Sequence, residues 1–169
     1  MSYSRSVLEM IGNTPMHEIT MMDTRPCRLF VKLENQNPGG SIKDRIGLSI
    51  IEDAEKRGRL NAGGTIIEAT AGNTGLGLAM VAAVRGYRCI FTIPDKMSTE
   101  KIDMLKAYGA EVIVTRTDLD HDHPESYVQI AKRIARDTPN AFYTDQYENM
   151  SNPEAVSYTH LTLPTIFRV

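Results

Sequence analysis

Thr65-Ile-Ile-Glu-Ala-Thr70-Ala-Gly-Asn-Thr-Gly75-Leu-Gly-Leu-Ala-Met80-Val-Ala-Ala-Val-Arg85-Gly-Tyr-Arg-Cys-Ile90-Phe-Thr-Ile-Pro94 is the stretch that decides the fold. It opens with a short β-branched run, Thr65-Ile66-Ile67-Glu68, which predicts a strand. A glycine-punctuated turn follows. Gly75 to Arg85 is then rich in Ala, Leu and Val and predicts a helix that Gly86 ends. Cys89 to Ile93 is a second apolar run, stopped at Pro94. Two strands separated by a helix of this length need a crossover connection, and a crossover makes the strands parallel.

Working outward, the same alternation continues in both directions. Ser98 or Thr99 is placed to cap a helix that turns Ile102, Met104 and Leu105 inward and ends at Gly109. Glu111 to Thr115 predicts a third strand, Ser126 to Arg136 a third helix, and Ala141-Phe142-Tyr143 a fourth strand. Upstream, a helix is expected from about Lys43 to Lys56 with Gly58 at its end, preceded by an apolar strand over Leu29 to Leu33. The reading is a three-layered α/β fold on a parallel sheet. There is no internal repeat, low-complexity tract or evident linker.

With 169 residues, 41% hydrophobic and 24% charged, the chain has material for one globular domain with a buried core. Its formal net charge of −2 argues against nucleic acid and anionic membrane as partners. No apolar run is long enough to span a bilayer. The opening MSYSRSVLEMIGNTP lacks the apolar core of a secretory signal, and the two cysteines, Cys27 and Cys89, have no paired spacing. A cytoplasmic location with reduced thiols is the expectation.

Two constellations carry chemistry. In Asn37-Pro-Gly-Gly-Ser-Ile-Lys43-Asp-Arg45, a turn leads into a helix with Lys43 in its first turn. A lysine is disfavoured there, because the helix start carries partial positive charge. The same misplacement suits a Schiff-base lysine, which must shed its proton before attacking an aldehyde. From spacing alone, a solvated lysine beside Asp44 and Arg45 remains the competing reading. The glycine spacing is not that of a Walker loop.

The second constellation is Glu68-Ala-Thr70-Ala-Gly72-Asn73-Thr74-Gly75-Leu-Gly77, between a strand's C-terminal end and a helix start. Ligands of open α/β sheets bind at that position, where free N–H groups can receive a carboxylate or phosphate. Gly72, Gly75 and Gly77 are expected to let backbone approach a ligand. Thr70, Asn73 and Thr74 add side-chain donors. The glycine order differs from the dinucleotide fingerprint, and a purely structural turn is the alternative. His121-Asp122-His123 lacks partners at metal-ligand spacing and is read as a solvated loop, so no metal is expected. Met21-Met22 is read as core or loose loop.

Together these motifs, with the opening Ile11-Gly-Asn-Thr-Pro15, resemble the cysteine synthase and cystathionine β-synthase family of fold-type-II pyridoxal 5′-phosphate (PLP) enzymes, whose sheet is tryptophan synthase β-like. The likeness runs from about Val7 to Asn152-Pro-Glu-Ala155. Ala82 to Ile90, Met97 to Leu105, Pro124-Glu-Ser126 and Asp145-Gln-Tyr-Glu-Asn149 most resemble its cystathionine β-synthase members. The resemblance implies that Lys43 holds PLP covalently and later moves the substrate's α-proton, and that Asn73 bonds the cofactor's phenolic oxygen. It further implies that Thr70, Gly72, Thr74 and Gln146 grip the amino-acid carboxylate and that Tyr147 meets the incoming thiol. The implied reaction is β-replacement on serine or O-acetylserine by homocysteine or sulfide, by a homodimer when full length. A non-catalytic binding or assembly module with this fold is the alternative of another class. Serine or threonine deamination is a second enzymatic one, against which the Gln146-Tyr147 context argues. Ala71 departs from the Ser of many relatives, which weakens any inference about the β-leaving group.

The last residues break the pattern. Val156-Ser-Tyr-Thr-His-Leu-Thr-Leu-Pro-Thr165 is the translation of GTCTCTTATACACATCTGACGCTGCCGACGA, a transposon adapter used in DNA library preparation, and an index followed by GTG and TAG would supply the rest through Val169. Residues 1–155 are therefore expected to be the front part of the catalytic core and 156–169 to be non-biological, so Tyr158 and His160 receive no functional reading. Relatives draw their phosphate cup and the partner of the pyridine nitrogen from later sequence. The 169-residue polypeptide alone is expected to hold PLP poorly and to show negligible turnover.

Overall fold

The computed structural model describes residues 3–70 and 72–157. The elements are β1 (Met16–Glu18), β2 (Phe30–Lys32), α1 (Lys43–Lys56), β3 (Thr65–Ala69), α2 (Asn73–Arg85), β4 (Arg88–Pro94), α3 (Thr99–Ala107), β5 (Glu111–Thr115), α4 (Tyr127–Asp137), β6 (Ala141–Tyr143) and α5 (Ser151–Val156). Short 3-10 helices occupy Val7–Met10 and Glu34–Gln36. Four strands form one parallel sheet in the order β5-β4-β3-β6, with Ile66 opposite Cys89 on one side and Phe142 on the other. The chain thus builds outward from β3 through β4 and β5, then returns to lay β6 on the vacant side of β3.

Every residue of β3 is buried because both faces of the sheet are covered. Alternation along the strand sends Ile66 to one core, with Phe91, Ile46, Ile50 and Val81, and Ile67 and Ala69 to another, with Ile90, Val128 and Ala131 of α4. Helix, sheet and helix therefore make the three expected layers. Each fully buried Ile contributes about 1.5–3 kcal/mol of transfer free energy, so these cores hold the sheet edge to edge. Ser126 accepts the Gln129 N–H at 3.2 Å to cap α4, and Gly86, in the left-handed region at φ 76°, ends α2.

Three expectations are corrected. The strand expected over Leu29 to Leu33 is only Phe30–Lys32, and it lies outside the parallel sheet, paired antiparallel with β1. Leu29, Phe30, Val31 and Met16 are exposed on that ribbon. Met104 is exposed, whereas Leu105 is buried and Ile102 packs partly buried against the same core. Finally, α2 starts at Asn73 rather than Gly75, which brings Asn73 and Thr74 into its first turn. The Met21-Met22 pair is exposed loop. The reading of residues 156–169 falls, except for Val156 and Ser157, outside the described residues, as does the Ala71 departure.

Candidate active site

The helices α1 and α2 cross with their backbones in contact. A Cβ on Gly47 would stand 2.6 Å from the Gly77 carbonyl carbon, and one on Gly77 would stand 2.5 Å from the Lys43 carbonyl oxygen. Only hydrogen fits at either position. This crossing seats Lys43, the half-buried first residue of α1, against the first turns of α2. The start of α1 is tied locally: Ser41 Oγ accepts the Lys43 N–H at 3.1 Å, and the buried Asp44 carboxylate accepts the Gly39 N–H at 2.5 Å. Burial raises the Asp44 carboxyl above its ordinary range. Arg45 anchors the turn from the other side, donating to both oxygens of Glu34 at 2.8 and 3.0 Å. Burial alone would raise Glu34, but Arg45, Thr14 and Asn37 together bring it down to about 2.

The second part of the site follows β3. Thr70 is buried and donates its N–H to Thr92 across the sheet, while its hydroxyl accepts the Gly72 N–H at 3.3 Å. Gly72 is the N-cap of α2, and a Cβ there would meet nothing within 4 Å. The glycine-approach reading is thereby corrected for two of its three positions. A Cβ on Gly75 would collide with Thr70 Cγ2 at 2.6 Å, so Gly75 and Gly77 serve packing within the protein, and Gly72 alone borders open space. Asn73 is exposed and Thr74 buried in the first turn of the helix.

The third part arrives after β6, which pairs with β3, so residues 144–149 lie beside the loop after Ala69. Gln146 is buried and Tyr147 exposed. Between them and β3 sits a residue that sequence reasoning quoted but assigned no role. Glu68, 1% exposed, accepts the Thr144 hydroxyl, the Gln146 N–H at 3.2 Å and the Gln146 side-chain amide at 3.2 Å. Burial raises its carboxyl to about 7 even though all three donors oppose the shift. The signal was present: an acid at the centre of an apolar strand has to be partnered. His121 and His123 lie in an exposed loop. Among the described residues no cluster of His, Cys, Asp or Glu has the makings of a metal site, and no helix is long and apolar enough to cross a membrane.

The residue set suits a PLP site. It offers an amine able to condense with an aldehyde, an exposed amide, and a helix start whose free N–H groups face an unobstructed glycine. Fold and site together thus define a parallel α/β protein that gathers an amine and a donor-bearing helix start at the C-terminal edge of its sheet. Comparison with known proteins narrows the class. The profile of the family described as pyridoxal-phosphate dependent enzyme matches residues 7–162, and the chain belongs to that family. Mouse cystathionine β-synthase is 53% identical over 152 residues, covering 88% of this chain and 27% of that protein. A Flavobacterium cysteine synthase is 45% identical over 148 residues, 88% of this chain and 47% of its own length. The crystal structure of an O-acetylserine dependent cystathionine β-synthase from Helicobacter pylori superposes with a TM-score of 0.83 at 37% identity, covering 94% of this chain and 52% of that one. The chain thus spans about a quarter to a half of the relatives it matches.

Proposed function

We propose that these residues form the front of the active site of an enzyme that replaces the β-substituent of serine or O-acetylserine with a thiol, homocysteine giving cystathionine. The observation that carries the reading is the convergence, at one sheet edge, of the amine-bearing start of α1, the donor-rich start of α2 and the Gln146 loop. When bound, PLP supplies the electron sink for loss of the α-proton. Lys43 anchors the cofactor and, once released, carries the α-proton. Asn73 donates to the cofactor's phenolic oxygen. Thr70, Gly72, Thr74 and Gln146 orient the substrate through its carboxylate, leaving the β-carbon toward Tyr147, the exposed residue that meets the incoming thiol.

A second reading, sulfide as the nucleophile with O-acetylserine, is favoured by the 45% identity to a cysteine synthase. The two are separated by expressing the protein from the source gene and assaying serine and O-acetylserine against homocysteine and sulfide. Cystathionine formation with the higher kcat/KM supports the first reading; preferential cysteine formation from sulfide supports the second. Lys43→Ala should abolish the absorbance of lysine-linked PLP, leaving at most that of the free aldehyde, and lower turnover about 10³-fold. Full turnover in that variant would remove Lys43 from its role, whereas full-length wild-type protein that never develops the visible absorbance of lysine-bound PLP would leave a binding or assembly module as the better account.

A further inference from the structure

Glu68 joins the two loops on which the proposed carboxylate grip depends. It stands two residues before Thr70 on β3, and its carboxylate reaches across to the segment after β6. One oxygen, Oε2, takes the Thr144 hydroxyl and the Gln146 backbone N–H; the other, Oε1, takes the Gln146 side-chain amide. The same amide also donates to the Ala69 carbonyl at 3.4 Å. Residue 146 thus has both its backbone and its side chain fixed to β3.

The turn that carries it needs fixing. Asp145, the residue before Gln146, lies in the left-handed region at φ 44°, which is costly for a non-glycine residue. The turn is closed by the Glu148 and Asn149 N–H groups on the Asp145 carbonyl. Asn149 donates to the Thr144 carbonyl and Asn152 to the Gln146 carbonyl, bracketing the turn from its far side. Glu68 is its attachment on the near side. No role in the proposed reaction has yet used this buried acid.

We propose that Glu68 is a positioning residue: through Thr144 and the backbone and side-chain N–H groups of Gln146 it holds the Gln146 amide beside the start of α2, where the hydrogen now given to the Ala69 carbonyl at 3.4 Å is the one an amino-acid carboxylate would take. The inference rests on the carboxylate role assigned to Gln146 above. Because Glu68 acts through Gln146, its removal should be silent once Gln146 is gone. A residue that merely stabilised the fold would instead weaken binding independently of Gln146.

The test is a double-mutant cycle in the PLP-loaded protein expressed from the source gene, with amino-acid Kd read from the visible spectrum of the bound cofactor. E68Q keeps size but offers one acceptor to three donors. It should raise the Kd about tenfold, the size of one hydrogen bond to a charged group. Its kinetic loss should fall mainly in KM rather than kcat. Q146A should raise the Kd to a similar degree, and the double variant should bind within about twofold of Q146A. Should E68Q not fold, T144V decides: it withdraws one donor and leaves the acid, and its smaller rise in Kd should also vanish in the Q146A background. Additive losses overturn the proposal, as does an unchanged Kd in E68Q. A Q146A variant that binds normally overturns the role of Gln146 itself, and this inference with it; weakened Q146A beside unaffected E68Q overturns this inference alone.

Discussion

Glu68 shows how a single side chain can set a pH window. Its carboxyl stands at about 7 in the folded protein against an ordinary 4.5. Between those values the folded state holds a proton that the unfolded state has released. Stability from this group is therefore present below about 4.5 and is lost as pH rises toward about 7. The loss is on the order of 3 kcal/mol and is complete above that range. Urea midpoints of the wild type and E68Q, followed from acid to mildly alkaline pH, should converge or cross over this window. A difference that is constant with pH would show that Glu68 does not titrate there. Glu34 has the opposite sign: held at about 2 by its partners, it contributes stability above 4.5 that is lost only as pH falls toward 2. At this scale the sequence singled out Lys43, Asn73 and Gln146 as candidates, because motif residues are recognisable by type and order. It was silent on what Glu68 touches, since its partners lie 76 and 78 residues away in the chain.

The helical layer turns on one crossing. Because the Gly77 Cβ position lies 2.5 Å from the backbone of Lys43, and backbone cannot swing aside as a side chain can, Gly77→Ala must push α1 away from α2. A destabilisation of about 2–3 kcal/mol is expected, at the upper end of overpacking costs. Gly72→Ala, with open space around its Cβ position, should leave the denaturation midpoint nearly unchanged. Equal effects of the two substitutions would refute the distinction between packing glycines and the site glycine. Element boundaries were legible wherever an apolar run ended at Gly, Pro or a capping Ser, as in β5, β6 and α4. β1 escaped notice because three residues, two of them exposed, leave no alternation to read. So did α5, where Pro153 reads as a breaker although the first turn of a helix tolerates proline.

Over the whole molecule, a parallel α/β sheet followed from the order of strands and helices alone, whereas the placement of β6 beside β3 rather than β5 did not. Four parallel strands admit several orders, and only packing of α4 against β3 and the burial of Phe142 select this one. The proposal that residues 156–169 derive from an adapter belongs to this scale too. Sequencing the source DNA across the Ala155 codon should give a frame that continues into glycine- and threonine-rich sequence. A source gene that itself encodes Val156 to Val169 and a stop would refute it.

The return of the chain to the vacant side of β3 also has a temporal meaning. As the polypeptide leaves the ribosome, β3, β4 and β5 can pair while one edge of β3, and the acid near its end, still faces water. Glu68 is ionised and well hydrated at neutral pH in that nascent sheet. Docking of β6 must strip this water away, so this later strand joins the sheet against an electrostatic resistance that mild acid would relieve. Closure of the sheet and attachment of the Gln146 turn then coincide, and the carboxylate grip proposed above would form only with them.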